Sequence, residues 1–422
     1  MSGTGGASGR PPLLGVVYCP ISVELPSLVR ATRRSWRLAW LVDRGRLDEP
    51  GQLDQLSRFG RVIDVTGLAP QDIPGVLPEP LDGLLASNDV DLEFAADLAG
   101  ELGLPTLDVA TVERLVDKAT QREALRAAGL PMPRIVTVRS DADAAAVASA
   151  TRALSFPAVL KPARGSASRA SSYVDSAAAV ARLLAGRRRL PVEEFVVEER
   201  IPDGWCPADS PWADYVSVES FVHSGRVEHF GITGRGPLAE GLRETASILP
   251  ADVPSALGAE LLDLAEEAIT ALGGRFGAMH TELKLSPQGP RVIEVNGRLG
   301  GGSIRWLAER VTGVPLLAAA ARVNLGLPPG VAGARFEGVG FAYYVQPPLT
   351  ASGVHSIGGT AEAYAVPGVE DVITLRPAGS RIDPAEEGSM AAVLLVRGWR
   401  RTHEEVAAVI RRLQDELRVS YV

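Results

Sequence analysis

Two alternating runs late in the chain, Gly277 to Leu285 and Arg291 to Val295, are joined by Ser286-Pro287-Gln288-Gly289, a turn sequence that sends the second run back along the first. The pair is predicted to be a hairpin. Its period of two sets Glu282 on one strand and Glu294 with Asn296 on one face of the other. Acids opposed across a hairpin repel, so the arrangement asks for a cation, and oxygen donors of this kind suit Mg²⁺ shared with phosphate oxygens.

A second feature can supply those phosphates with partners. Phe156 to Leu160 is an apolar run ending in Lys161-Pro162, followed by the small-residue loop Ala163 to Ser172 and a returning strand at Tyr173-Val174. Bare amides and hydroxyls around Gly165, Ser166 and Ser168 can approach phosphate oxygens while the Lys161 ammonium offsets their charge. The order of a Walker loop is absent. A Lys-Pro turn of this composition is also a common surface feature, so the reading depends on its company. Further along, Glu198-Glu199-Arg200-Ile201 ends a strand whose open backbone groups can bind an adenine edge. Arg298, before Gly300-Gly301-Gly302, offers a fork for a transferring phosphoryl or a carboxylate, or is a plain surface arginine.

The rest of the chain sets the frame. At 422 residues it exceeds one ordinary core, and two to four domains are expected. Short strands at Leu13 to Tyr18, Arg61 to Val65 and Gly83 to Ala86 alternate with helical stretches, which predicts a parallel α/β unit. Helices are predicted over Leu92 to Leu102, Val112 to Ala128, Ala256 to Leu272, Ile304 to Val311 and His403 to Leu417, and strands at Phe195 to Val197 and Val216 to Val222. The segment from Pro202 to Trp212 reads as a surface insertion. Boundaries are placed to give an N-terminal α/β domain (1–112), a lid subdomain (113–212), a catalytic subdomain (213–330) and a small β-rich accessory module (331–422). With 43 basic and 51 acidic residues the net charge of −8 argues against a nucleic-acid-binding surface. Cys19 and Cys206 stand far apart without metal-ligand spacing, so neither a disulfide framework nor a zinc site is expected. The Gly/Ser-rich leader has no apolar core and no later run is long enough for a bilayer, which makes the cytoplasm the expected location.

The order of these features is what carries a likeness: Asp117-Lys118, Val159-Leu160-Lys161-Pro162, Val197-Glu198-Glu199-Arg200-Ile201, Glu282, then Glu294-Val295-Asn296. The chain resembles the ATP-grasp superfamily, and within it the L-amino-acid ligases of the bacilysin type. That narrower likeness is carried by Asp214-Tyr-Val-Ser-Val-Glu-Ser220, Arg243-Glu-Thr-Ala-Ser247, His280-Thr-Glu-Leu-Lys-Leu285 and Glu294-Val-Asn-Gly-Arg298. The resemblance implies a mixed α/β ATP-grasp fold and an ADP-forming ligase that joins a carboxylate to an amine through an acyl phosphate.

By the same resemblance, Lys118 and Lys161 touch the α and β phosphates under a closing flap at Ala163 to Ser172. Glu198 binds the exocyclic amine of adenine, with backbone groups of Glu199 to Ile201 beside it, and either Asp214 or Glu219 lies near the ribose. Glu282, Glu294 and Asn296 hold Mg²⁺, two ions being the expected number and Mn²⁺ a tolerated substitute, while Arg235 and Arg298 stabilise the phosphoryl and the tetrahedral intermediate. Asp89 and Glu244 match substrate-contacting acids, or are a helix cap and a surface acid. Two departures bear on the substrate: Ser247 stands where the bacilysin-type enzymes carry histidine, and Gly302 where they carry a pocket-filling tryptophan. A different and larger carboxylate is implied. The partners are small-molecule acid and amine, with no nucleic acid or membrane, and a homodimer is left open. The competing readings are a bicarbonate-activating enzyme like biotin carboxylase, and a nucleotide-binding module without turnover.

Overall fold

A computed structural model describes residues 10–20, 25–32, 35–47, 51–188, 190–205 and 211–422. Cys206, residues 206–210 of the insertion and residues 1–9 of the leader lie outside the described residues. Near the N-terminus, β1 (Leu13–Val17), β2 (Arg37–Val42), β3 (Arg61–Asp64) and β4 (Gly83–Leu85) form a parallel sheet in the order β3-β2-β1-β4. All five residues of Leu-Leu-Gly-Val-Val in β1 are buried, as a parallel strand covered on both faces requires. Helix Asp89–Leu102 leaves this sheet just after β4. Asn88 caps it by accepting from the Asp91 amide, and Gly103 ends it at φ 65°.

The periodic stretch Val112 to Ala128, expected as one helix, is two helices, Val109–Val116 and Lys118–Ala127. Asp117 at the junction is extended, and its Oδ1 accepts from the amides of Ala119 and Thr120 at 3.0 and 3.1 Å. The carboxylate outcompetes helix continuation by satisfying amides that a new helix start would leave open. Lys118 therefore becomes the first residue of a helix rather than a mid-helix surface lysine.

The lid is an antiparallel sheet of β5 (Ile135–Arg139), β6 (Ala158–Pro162), β7 (Ser172–Val174) and β8 (Glu194–Glu199), in the order β5-β8-β6-β7. Its own core includes Val147, Leu160, Val180, Phe195 and Val197, all fully buried, from the sheet and helices Ala144–Thr151 and Ala177–Gly186.

The largest sheet has eight antiparallel strands. Its members are β9 (Tyr215–His223), β10 (Arg226–Arg235), β11 (Ala246–Leu249), β12 (Phe276–Ser286), β13 (Gly289–Asn296), β14 (Val339–Val345), β16 (Val369–Thr374) and β17 (Leu394–Arg400). The order is β13-β12-β9-β10-β11-β14-β17-β16, so the sheet runs without interruption across residue 330 through the β11–β14 pairing. The expected hairpin is β12 and β13. Helix Ser255–Ala271 buries Leu261, Ala265 and Ile269 against Val216, Val218 and Leu283 of the sheet. Beyond it, β15 (Val354–Gly358) and β18 (Arg418–Tyr421) form a two-stranded ribbon, and helix His403–Glu416 packs on an apolar cluster that the tail shares with Trp212, Ala246 and Ile248. Among the described residues no helix is long and apolar enough to cross a membrane.

Candidate active site

The lid faces the β12–β13 hairpin across a cleft of about 980 Å³. Into it the hairpin register delivers the two acids directly opposite one another: Glu282 pairs with Glu294, and His280 with Asn296. A bulge between Glu282 and Leu283 interrupts the ladder there, and bulges re-aim side chains at sites of this kind. Helix Lys118–Ala127 is pinned to the hairpin through Gln121, which donates to the Val295 carbonyl at 2.8 Å and accepts from its amide at 2.9 Å. That attachment sets Lys118 Nζ 3.0 Å from Glu294 Oε1. The same ammonium donates to the Gly165 carbonyl of the flap at 2.8 Å.

Lys161, at the end of β6, meets Glu198 Oε2 at 2.6 Å, while Glu198 Oε1 lies 2.9 Å from Arg122 Nη2. Burial alone would raise the Glu198 carboxyl, but the charges of Arg122 and Lys161 bring it below its ordinary value. Both oxygens of Glu198 thus lie beside cations, and the residue still lines the cleft. Glu199 points elsewhere, accepting from the Ser155 amide at 2.8 Å and pairing with Arg134, though it still lines the cleft with Arg200 and Ile201. Gly165, Ser166 and Ser168 line it from the flap.

Beneath Glu282 lies a buried polar cluster. His280 Nδ1 is 2.9 Å from Glu219 Oε2, and His280 Nε2 is 3.3 Å from Glu282 Oε1. Burial opposes a charged imidazole, yet Glu219 and Glu282 raise His280 to about 9, so it is an imidazolium at neutral pH. Burial would likewise raise Glu282, but its hydrogen bond to His280 and the charges of His280, Arg235 and Arg298 lower it to about 2. Arg235 donates to Ser247 Oγ at 2.8 Å and Ser217 Oγ at 2.9 Å, and lies 3.4 Å from Glu244. Its Nε is buried with no hydrogen-bond partner among the described residues. Arg298 Nε donates to Asp89 Oδ2 at 2.9 Å, and both residues line the cleft.

Three of the expected residues do not line the cleft. Glu219 is 2% exposed behind His280, accepting also from Ser217 and Thr233. Asp214 holds Lys284 Nζ at 2.5 Å and accepts from the Gly204 amide. Of the two residues expected near a ribose, Glu219 is paired with the buried His280 and Asp214 with Lys284, which itself lines the cleft. Ser247 is spent on Arg235. The sequence reading gave no role to His280 or Arg122, yet both carried a signal: His280 shares the Glu282 face by alternation, and Arg122 lies four residues beyond Lys118 on a helix. Tyr344 was also missed. Its hydroxyl accepts from the Ser303 amide at 2.9 Å, and a Cβ on Gly302, whose φ is 59°, would fall 2.5 Å from it. A larger side chain here would be strained at this φ and would have to displace the Tyr344 hydroxyl.

The whole chain superposes on the L-amino acid ligase from Bacillus licheniformis with a TM-score of 0.77, covering 98% of this chain and 99% of that one at 22% identity. The chain has the ATP-grasp fold. No family model matches it. In sequence it is 39% identical to carnosine synthase 1 of Gallus gallus over 113 residues, 26% of this chain and 12% of that one. It is 24% identical to the alanine–anticapsin ligase of Bacillus subtilis (strain 168) over 253 residues, 56% of this chain and 52% of that one. The ATP-grasp chain described here spans between 12% and 54% of the length of the curated relatives first matched.

Proposed function

We propose that the protein is an ATP-dependent, ADP-forming ligase that joins a carboxylate, an amino acid or small peptide, to an amine through an acyl phosphate. The observation that carries this is the convergence of Lys118 and Lys161 with Glu282, Glu294 and Asn296 around one cleft. The alanine–anticapsin ligase and carnosine synthase likenesses favour an amide-forming reaction over bicarbonate activation.

The donor set fits magnesium held jointly with phosphates. Two carboxylates and an amide face the cleft, while among the described residues no three His, Cys, Asp or Glu side chains can hold a metal by themselves, and Mg²⁺ characteristically takes its remaining ligands from water and phosphate. Glu282, Glu294 and Asn296 would hold Mg²⁺, two ions in all with Mn²⁺ as substitute, and the metal would supply neutralisation of phosphate charge.

The chain's own groups supply the rest. Lys161, braced by Glu198 and Arg122, and Lys118, braced by Glu294, bind nucleotide phosphates, and backbone groups of Glu199 to Ile201 take the adenine edge. The flap at 163–172 excludes water from the acyl phosphate. A carboxylate oxygen attacks the γ-phosphorus and ADP leaves. The amine nitrogen then attacks the acyl carbon, phosphate departs, and the nitrogen sheds a proton. Arg235, with a buried Nε left to donate, and Arg298 stabilise the negative charge that develops in both steps. Glu244, beside Arg235, and Asp89, which fixes Arg298, border the acid-substrate side, which Gly302 lines with the Tyr344 hydroxyl close by and which Ser247 supports from behind through Arg235. Partners are two small molecules, in a cytoplasmic protein.

The test is phosphate release from Mg-ATP over pairs of amino acids, small peptides and amines, with mass detection of the product. Phosphate that requires both acid and amine, with an amide of the summed mass less water, is expected. A signal needing bicarbonate but no amine, or nucleotide binding without ADP on any pair, would overturn the proposal.

A further inference from the structure

We infer that Ser389 is a positioning residue that couples the seating of the 163–172 flap to the loop carrying Glu244. The inference rests on reading that flap as the nucleotide cover. Ala167, Ser168 and Ala170 have φ of 58°, 56° and 53°, a region that residues with a Cβ avoid, so contacts from outside the flap must hold its shape. Besides the Lys118 contact to Gly165, they come from the C-terminal tail. Ser389 N donates to the Ala167 carbonyl at 2.9 Å, Ala170 N to the Ala385 carbonyl at 3.3 Å, and Arg169 Nε to the Glu386 carbonyl at 3.5 Å. Gly388 makes the approach feasible: at φ 59° its Cβ would stand 2.2 Å from the Ala167 carbonyl oxygen.

The other side of Ser389 faces the substrate loop. Its Oγ accepts from the Glu244 amide at 3.2 Å, and Gln346 Nε2 donates both to the Ser389 carbonyl at 3.3 Å and to the Glu244 carbonyl at 2.8 Å. Glu244 in turn lies 3.4 Å from Arg235. One seat therefore holds the flap tip through its backbone amide and the Glu244 loop through its hydroxyl. Fixing either element lowers the freedom of the seat that the other must join, so nucleotide closure tightens the Glu244 loop and the effect is reciprocal.

Hydrogen exchange with and without Mg-AMPPNP tests this, and needs no acid substrate. In the wild type the nucleotide is expected to slow exchange in peptides covering 163–172, 240–246 and 384–391 together. Ser389→Ala should keep the flap response and lose roughly fivefold of the nucleotide-induced slowing at 240–246, the net worth of one neutral hydrogen bond, and Ser389→Thr should restore it. Gly388→Val should lose the response in all three, since the flap can no longer seat. Slowing confined to 163–172 in the wild type, or a full 240–246 response in Ser389→Ala, would overturn the coupling while leaving the ligase reading intact. No slowing anywhere would overturn the coupling and nucleotide closure together.

Discussion

Arg122 shows how a single interior charge can decide what a cleft presents. It is fully buried, and with Lys161 it neutralises Glu198, a carboxylate that would otherwise be isolated in the interior. Removing one partner of such a cluster leaves an uncompensated charge, so Arg122→Met should cost about 3–5 kcal/mol of stability, read by urea denaturation. A cost under 1 kcal/mol would mean that Glu198 is adequately held by Lys161 alone. The Glu219–His280–Glu282 row carries a pH signature. Folding raises His280 from 6.5 to about 9, so the stabilisation from its bound proton is complete below 6.5 and is lost as pH rises through about 9. The melting temperature of the wild type should therefore fall more steeply between pH 7 and 10 than that of His280→Gln. Parallel curves would contradict the charged imidazole.

Among the elements, the helix break at Asp117 has the widest consequence, because it turns Lys118 toward the cleft and lets Gln121 fasten the helix to β13. Asp117→Ala should cost about 1 kcal/mol through loss of the cap and weaken Mg-ATP binding as Lys118 loses its aim; thermal melting and calorimetry check the two effects separately. Unchanged nucleotide affinity would show that the cap does not orient Lys118. The break was illegible in sequence because Val112, Leu115, Val116 and Ala119 keep the i, i+3, i+4, i+7 spacing of a helix across the junction, and only the local competition of an aspartate for free amides ends the helix. The β12–β13 hairpin was legible down to its inward residues, since alternation and a turn are both local signals. Strands β2, β5, β10 and β11 were not anticipated, nor was the passage of the large sheet into the tail, which depends on the non-local β11–β14 pairing.

For the molecule as a whole, the ATP-grasp fold was legible because the order of short motifs survives where overall identity is low. Lys161, Glu282, Glu294 and Asn296 fall around one cleft because each sits at a strand end or on an alternating face that sequence reveals. What sequence did not reveal are the partners those residues already have. Glu198 meets Arg122, Glu219 meets His280, Asp214 meets Lys284 and Ser389 meets Ala167 across long separations in the chain, and only the folded chain says which acids are spent on internal cations. The central claim is that lid lysines and hairpin acids act on one bound Mg-nucleotide. Calorimetric titration of Mg-ATP into wild type, Lys161→Ala and Glu294→Gln tests it most directly. Kd should weaken by at least about tenfold in each variant, as loss of a charge-assisted contact implies, with the Mg²⁺ dependence reduced in Glu294→Gln alone. Wild-type affinity and undiminished Mg²⁺ dependence in both variants would contradict the account.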